Sequence, residues 1–242
     1  MSNFLQLFFQ LLMAHLLADF FLQSKYMLRE KRRAKWKSPQ LALHAVIAGF
    51  LAWLFAAHWQ NWMLVGVGTA VTHWLIDALK VQLDKQKTTT AFIVDQLAHT
   101  AVIILIAVLL TEVSTGLDEI ISPEQWSAWT VYGAGLLLLF RPSSIFIQFL
   151  SNKWTDVVGD RADELPNAGA WIGYLERLLI FMFILVGEYA AIGLLIAAKS
   201  ILRFRDDEKK RLTTEYILLG TLLSFTIAVL IGMGTRFFAA FI

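Results

Sequence analysis

The chain of 242 residues contains no cysteine, which excludes disulfide bonds and thiolate ligands for a metal ion. Charged residues are scarce at 17%, whereas hydrophobic residues make up 57% and the mean hydropathy is +0.60. Ordinary globular chains are about 45–50% apolar. A soluble core does not require repeated apolar runs of about 20 residues, and such runs recur here, so the sequence predicts an integral membrane protein.

The apolar runs predict an all-α, polytopic transmembrane helix bundle, because a backbone in lipid must satisfy its own hydrogen bonds. Each run is long enough, or nearly so, to cross a hydrocarbon core of about 30 Å. The first run lacks a preceding basic region and a cleavage site, so we expect a retained helix rather than a signal peptide. The eight predicted segments are 4–22, 40–58, 62–83, 90–112, 126–150, 170–187, 188–204 and 214–238.

The count of eight crossings depends on residues 170–204. Basic residues follow this stretch, and the loop at 151–168 that precedes it is expected on the same side, so an even number of crossings is needed between them. A break near Gly187 provides two crossings, and the alternative is seven crossings with 178–198 as one span. Pro142 predicts a second interruption, in the fifth segment, because proline breaks or kinks a helix.

Lysine and arginine set the orientation, since they favour the cytoplasmic side. Seven of them lie between residues 23 and 39 and three lysines lie at 80–87, whereas 58–61 and 112–125 contain none. This alternation predicts a multi-pass protein of the bacterial inner membrane with its N-terminus outside. His58, in an outer loop beside tryptophans, is expected to be interfacial and to have no role in a site.

Histidine and aspartate recur within the first four runs at one spacing. Three runs each contain a His/Asp pair four residues apart, which places both side chains on one helix face. At 1.5 Å per residue, the predicted orientation puts all of these side chains within roughly 4–15 Å of the cytoplasmic face. They are His15, Asp19, His44, His73, Asp77, Asp95 and His99.

Three aspartates at one depth need compensating partners, because a charge near the centre of a span costs about 2.5–3.5 kcal/mol on insertion scales. Imidazole and carboxylate together suit Zn, Mn or Fe(II). We therefore expect the seven residues to bind a divalent metal ion, with Asp19 and Asp77 as candidate catalytic residues that orient a histidine or act as a general base. The alternatives are a metal-free polar network or proton relay, and a structural role in helix packing.

The second half of the chain contributes four cations, Arg141, Arg177, Lys199 and Arg203. One interpretation is that they anchor the helices at the cytoplasmic interface. The other is that they form a rim above the metal that binds a phosphate or a lipid head group. Within one integral membrane domain, we expect a four-helix unit at 1–113 that contains the His/Asp cluster, followed by C-terminal helices with basic cytoplasmic loops at 114–242.

Six stretches together resemble the bacterial membrane family called domain of unknown function 3307. The resemblance extends over nearly the whole chain, and it implies a membrane protein without implying a reaction. More loosely, the helices that contain His and Asp are similar to membrane-bound metal-dependent hydrolases of the YdjM type. The stretches are HLLADFFLQ at 15–23, HWLIDALK at 73–80, DQLAH at 95–99, IGYLERLL at 172–179, AAKSILRF at 197–204 and EYILLGTLLS at 215–224.

The leading hypothesis is a metal-dependent hydrolase that acts on a lipid or phosphate-bearing amphiphile at the cytoplasmic leaflet. Its expected partners are membrane lipid and a lipid-linked or phosphate-bearing substrate, with a homo-oligomer left open and no nucleic acid. A transporter or channel for a metal ion or proton is the first alternative, disfavoured because the outer halves of the spans contain few polar residues. A non-catalytic membrane scaffold is the second.

Overall fold

The computed structural model describes residues 2–56, 61–83, 88–113, 123–158, 168–203 and 211–242. Every regular element in these ranges is a helix, which confirms the predicted all-α class. The predicted interfacial position of His58 lies outside the described residues. In the first half, the helices are α1 (Ser2–Leu16), continued by a π-helical turn (Leu17–Leu22), α2 (Lys25–Ala34), α3 (Pro39–Ala56), a π-helical turn (Met63–Gly68) that runs into α4 (Thr69–Leu83), and α5 (Thr89–Val113).

The second half contains helices of more varied length. They are α6 (Pro123–Leu139), α7 (Arg141–Val158), α8 (Ala168–Val186), α9 (Tyr189–Arg203) and α10 (Arg211–Ala239).

Seven helical stretches of the described chain are long and apolar enough to cross a membrane, and each overlaps a predicted segment. The predicted break at Gly187 is confirmed: α8 ends at Val186, and Gly187 has φ +85°, a left-handed conformation that favours glycine. The alternative single span at 178–198 is therefore wrong. The apolar part of α9, Tyr189–Ile201, is short for a crossing. The seven spans are Asn3–Leu22, Pro39–Ala56, Met63–Leu83, Thr89–Thr111, Ala128–Ser151, Gly169–Val186 and Glu215–Ala239.

The chain divides into two compact units, Met1–Leu137 with Phe241–Ile242, and Leu138–Ala240. The division falls later than the predicted boundary at 113/114, so most of α6 belongs to the first unit. Gly133 of α6 accordingly lies so close to α1 that an added Cβ would be 2.8 Å from the Met13 side chain. The boundary drawn from the His/Asp positions stays a prediction about function, whereas the compact unit also includes α6.

Within the first unit, α1, α3, α4 and α5 form a closed four-helix arrangement in which α1 contacts α3 and α5, and α4 contacts the same two helices. Gly49 allows α3 to approach α4 and the preceding π-helical turn closely, since a Cβ there would lie 2.7 Å from the Ala70 Cβ and 2.3 Å from the Gly66 carbonyl oxygen. One level of the bundle is an apolar core that includes Leu7, Leu11 and Ile106. The amphipathic helix α2 packs on α3 and α4.

In the second unit, the predicted interruption before Pro142 is confirmed. α6 ends at Leu139 and α7 begins at Arg141, because the proline has no N–H and its ring clashes with the preceding turn. Two carbonyl groups at this break accept side-chain hydrogen bonds. Leu138 O accepts from Ser143 Oγ, and Leu139 O accepts from Arg177 Nε at 2.6 Å.

Candidate metal centre

His15 and Asp19 stand where the first span changes from α-helix to π-helix, between Leu16 and Leu17. Such turns are rare and occur frequently at functional sites. His15 Nδ1 lies 3.9 Å from Asp19 Oδ1, and both side chains are buried to nine-tenths or more. The two residues therefore face the bundle interior together, as their spacing predicted, without a hydrogen bond between them.

Helices α3 and α4 complete a triangle of atoms with Asp19. Asp19 Oδ1 lies 3.1 Å from His44 Nε2 and 3.2 Å from His73 Nε2. The two imidazole Nε2 atoms are 3.0 Å apart, and both histidines are buried. We call Asp19, His44 and His73 the inner triad.

Protons cannot satisfy all three contacts of the inner triad. An ionised carboxylate only accepts hydrogen bonds, and each imidazole nitrogen either holds a hydrogen or accepts one. The two contacts to Asp19 require a hydrogen on both Nε2 atoms, and the contact between His44 and His73 then brings these hydrogens against each other. Hydrogen bonds therefore satisfy at most two of the three contacts, whereas a cation bound to the three atoms satisfies all of them.

The dimensions of the inner triad also fit a small divalent ion. Zinc binds imidazole nitrogen and carboxylate oxygen at about 2.0–2.2 Å, which separates tetrahedral ligand atoms by about 3.3–3.6 Å. The observed separations of 3.0–3.2 Å are slightly shorter. Asp19, His44 and His73 would therefore hold such an ion if their ligand atoms moved apart by a few tenths of an ångström.

A second group of imidazoles, His15, His73 and His99, lies against the inner triad. One nitrogen from each falls within 4.8 Å of the others, and the rings of His73 and His99 are 4.2 Å apart between centroids. The three side chains line a cavity of about 20 Å³, which is enough for one water molecule. Because His73 belongs to both groups, the bundle offers overlapping ligand sets for one ion or two.

On α5, Asp95 and His99 present buried atoms that lack hydrogen bonds. Asp95 Oδ1 and His99 Nε2 have no hydrogen-bond partner within the described part of the chain, and they lie 3.7 Å apart. Together with Asp19, they form a third set of ligand atoms within 4.8 Å of one another. Buried polar atoms are normally paired, so these unpaired atoms fit a set of metal ligands.

Asp77 is held by a lysine that the sequence pattern assigned to the basic loop. Lys31 Nζ donates to Asp77 Oδ2 at 2.5 Å, and Lys31 is only 2% exposed. Asp77 Oδ1 lies 3.7 Å from His99 Nε2, and Asp77 Oδ2 lies 3.8 Å from His44 Nε2. Asp77 thus borders both groups of imidazoles, and all seven predicted residues meet in one cluster.

Two lysines balance two of the three carboxylates. Lys31 pairs with Asp77, and Lys80 Nζ lies 2.6 Å from Asp95 Oδ2. The ion-pair partners that the described structure contains for Asp19 are instead histidines. With neutral imidazoles the cluster retains one negative charge, and Asp19 is the carboxylate that a lysine does not compensate.

Two glutamines at the cluster were not singled out by the sequence pattern. Gln23 Nε2 lies 3.0 Å from His44 Nε2. Gln96 Oε1 lies 3.3 Å from His15 Nε2, and its Nε2 donates to Asp95 Oδ2 at 3.0 Å. Gln96 is thus placed to orient His15 and Asp95, as such neighbours do in metal sites, whereas Gln23 contacts the His44 nitrogen that belongs to the inner triad. Their sequence signal was weak, since glutamine near the end of a span also suits the membrane interface.

The two lysines did leave a signal in the sequence. Lys80 follows Asp77 by three residues, which places it on the same face of α4. Lys31 follows Met27 by four residues, and these two are the buried residues of α2. A search for i, i+3 partners that included lysine would have found Lys80, whereas the spacing along α2 does not identify Asp77 as the partner of Lys31. The positive-inside pattern explained both lysines first.

The four cations predicted to bind substrate belong to the second unit. Arg177 is buried and donates to three acceptors there, Leu139 O, Ser224 Oγ and Ser144 Oγ, at 2.6–2.9 Å. All three nitrogens of its guanidinium group are thus used inside that unit.

The other three cations lie on α7 and α9. Lys199 Nζ donates to Glu176 Oε2 at 2.5 Å. Arg141 begins α7 and Arg203 ends α9, and the side chain of Arg203 lies outside the description. Their predicted place above the metal ligands stays a prediction.

The fold and the cluster define a class of protein: a multi-pass α-helical membrane protein whose first four spans surround buried His and Asp side chains. The model of the family described as "Protein of unknown function (DUF3307)" matches residues 7–128. The chain belongs to this family, and the match includes all seven cluster residues. No curated protein and no solved structure matches the chain.

Proposed function

We propose that this protein is a membrane-embedded, metal-dependent hydrolase that acts on a lipid or another phosphate-bearing amphiphile at the cytoplasmic leaflet. The inner triad is the observation that carries the proposal, because a divalent cation satisfies its three contacts and protons do not. Imidazole and carboxylate ligands without thiolate suit zinc, manganese or iron. Bound there, such an ion supplies an activated water molecule and polarises the bond to be cleaved.

The neighbours of each side chain support a division of roles. The inner triad is proposed to hold the ion, with His15, His99 and Asp95 completing its coordination or holding a second ion. Lys31 anchors Asp77 through Oδ2 and leaves Oδ1 near His99. Asp77 is therefore the proposed proton acceptor, since a general base must be held within reach of the water that it deprotonates.

The first test is the metal content of the purified full-length protein, measured by elemental analysis after dialysis against a trace of chelator. We expect about one divalent ion per chain or more, and its loss in His73→Ala, because His73 belongs to two ligand sets. His58→Ala is the matched control and should retain the metal. A folded wild-type protein that gains no zinc, manganese or iron when these are added would overturn the proposal.

The transport alternative requires the polar cluster to continue through the bundle. Within the described residues, the buried core of the first unit beside the cluster is mainly apolar and includes Leu11, Ala52 and Ile103, and Thr69 and Thr72 are the polar side chains other than histidine that line the cavity there. An ion cannot cross such a layer without large cost. Metal or proton flux into liposomes that contain the purified protein, abolished by His73→Ala, would favour transport over hydrolysis.

The cytoplasmic position of the centre is a proposal that the lack of cysteine makes simple to test. A single cysteine placed at Arg33, whose side chain is 82% exposed, should react with an impermeant maleimide only after the inner membrane is opened. A cysteine at Asn61 should react in intact spheroplasts. The reverse labelling pattern would move the centre to the outer face and exclude the cytoplasmic leaflet as the source of substrate.

A further inference from the structure

Lys31 differs from the other basic residues of its helix because it points into the cluster. It is 2% exposed, whereas the side chain of Arg33 on the same helix is 82% exposed. Lys80, from α4, is the second lysine at the cluster, and its side chain is 27% exposed. Both ammonium groups therefore lie directly beside the proposed metal ligands, one buried and one at the edge.

The buried ammonium group of Lys31 has hydrogen-bonding capacity to spare. An ammonium has three N–H donors, and the hydrogen bond that the structure contains for Lys31 goes to Asp77 Oδ2. A buried charge is costly unless several partners satisfy it. A further acceptor at Lys31 Nζ would therefore be stabilised. It would lie close to His44 and His99, because Asp77, the partner of Lys31, lies near both histidines.

The charge of the cluster determines what kind of acceptor is favoured. Three carboxylates and two lysines leave one negative charge with neutral imidazoles, which disfavours an anion. A divalent ion changes this sum to one positive charge, so the metal-bound cluster attracts an anion. An oxyanion placed there contacts the lysine donors and the ion together, which is the arrangement that stabilises phosphoryl groups in many sites.

We infer that Lys31, assisted by Lys80, binds the phosphate group of the substrate beside the metal ion. This inference rests on the proposed metal site and assigns its substrate class, an anionic phosphate ester. The outer surface of α2 agrees with an amphiphile, because Tyr26 and Leu28 are exposed beside basic residues. A helix with such a surface suits the head-group layer of a membrane, where phosphate groups are found.

The test uses purified full-length protein loaded with Mn²⁺, and the metal content of every variant is measured first. Inorganic phosphate is titrated, and the broadening of its ³¹P signal by bound Mn²⁺ reports the dissociation constant. Lys31→Met should weaken binding about tenfold or more, the effect of one charged hydrogen bond, and Lys80→Met should weaken it less. Arg33→Met removes an exposed charge from the same helix and should leave the constant unchanged.

The outcomes separate this inference from the proposed function. Wild-type protein without metal refutes the proposed function. Wild-type protein that keeps Mn²⁺ but does not bind phosphate refutes the inference alone, as does a metal-loaded Lys31→Met variant with wild-type affinity. If Lys31→Met does not fold, Lys80→Met decides in the same way, and unchanged affinity in that folded variant counts against the inference.

A second arm identifies the source of the phosphate. The protein is placed in nanodiscs of phosphatidylcholine with or without phosphatidic acid, and inorganic phosphate is titrated again. Competition by phosphatidic acid that disappears in Lys31→Met assigns a lipid phosphate monoester, and lack of competition assigns a soluble phosphate ester. Both results leave the phosphate site at Lys31 as the first titration defines it, whereas competition that persists in Lys31→Met counts against the inference.

Discussion

The two compact units bury charged side chains in opposite ways. In the second unit, Arg177 donates to a backbone carbonyl and to two serine hydroxyls, and each donor meets one acceptor. In the first unit, the three contacts of the inner triad exceed what its protons can satisfy, and nearby Asp95 Oδ1 and His99 Nε2 are unpaired within the described structure. A buried charge whose hydrogen bonds are all satisfied indicates a structural role, whereas unpaired buried atoms indicate a place for a ligand.

The helix break before Pro142 explains why the second unit contains the buried charge of Arg177. The break before Pro142 leaves carbonyl groups at the end of α6 without intrahelical partners. Arg177 and Ser143 satisfy those of Leu139 and Leu138. The guanidinium group thus compensates for the interrupted helix, and the serines complete its hydrogen bonding.

The largest expected effect is the loss of stability in Arg177→Met. This substitution leaves a carbonyl and two hydroxyl groups without their donor, which should lower the free energy of unfolding by about 3 kcal/mol or more. Thermal unfolding in detergent measures the effect, and the metal content per folded molecule should be unchanged. Arg236→Met is the control, because Arg236 makes two hydrogen bonds at a more exposed position and should cost less. Equal effects of the two variants would remove the distinction drawn for Arg177.

In the first unit, Asp19→Asn should have the opposite effect, a loss of metal affinity with little change in stability. The amide is a weaker ligand than the carboxylate, so metal affinity should fall on the order of a hundredfold. With chelator present, the thermal midpoint should change little, because the amide replaces a buried charge that a lysine does not compensate. Metal titration and thermal unfolding are measured on the same preparation. If the variant retains metal but unfolds as easily as Arg177→Met, the inner triad has a structural role and not a metal-binding one.

Lowering the pH should weaken metal binding by the first unit, with a smaller effect than Asp19→Asn. Imidazole binds a metal ion only without its proton, so affinity falls as the pH falls through the titration range of the ligands. We expect a loss of about tenfold for each pH unit below 7 for every proton taken up. Competition with a metal-binding dye at pH 7 and pH 6 measures it. Affinity that does not change over this range would exclude from the coordination of the ion every histidine that takes up its proton between pH 7 and pH 6 in the metal-free protein.

Gln96→Leu should produce the smallest change. Gln96 contacts His15 and Asp95 and acts by orienting them, and residues of this kind contribute about tenfold to metal affinity. The exposed residue Gln148 provides the control variant Gln148→Leu. If Gln96→Leu binds metal as the wild type does, His15 and Asp95 do not depend on Gln96 for their orientation. The result would then favour the inner triad alone as the set of metal ligands.

Much of the fold could be predicted because it depends on local properties of the chain. Run length and hydropathy located the spans to within a few residues, and Gly187 and Pro142 marked two helix breaks through their own backbone restrictions. The short length of α9 was less apparent, because its apolar run continues into a basic stretch and the count of crossings depends on where the helix ends.

The candidate site was predicted in part for the same reason. The i, i+4 spacing of His15 and Asp19, and of the pairs on α4 and α5, is a local property that sets one helix face. The participation of Lys31 was missed because α2 lies outside the spans, where a basic residue ordinarily faces water. Its burial depends on how α2 packs against α3 and α4, and the spacing of residues along α2 does not determine that packing.

The sequence alone was sufficient for the family, the α-helical membrane class and the seven residues of the cluster, because hydrophobic length and helical period act within single segments. Only the tertiary structure decided which atoms meet. The triangle of Asp19, His44 and His73 joins three helices within 3.0–3.2 Å, and lysine pairs with Asp77 and Asp95, whereas the ion-pair partners of Asp19 within the described residues are histidines. Distances of that kind arise from packing between helices, which the close approach at Gly49 illustrates.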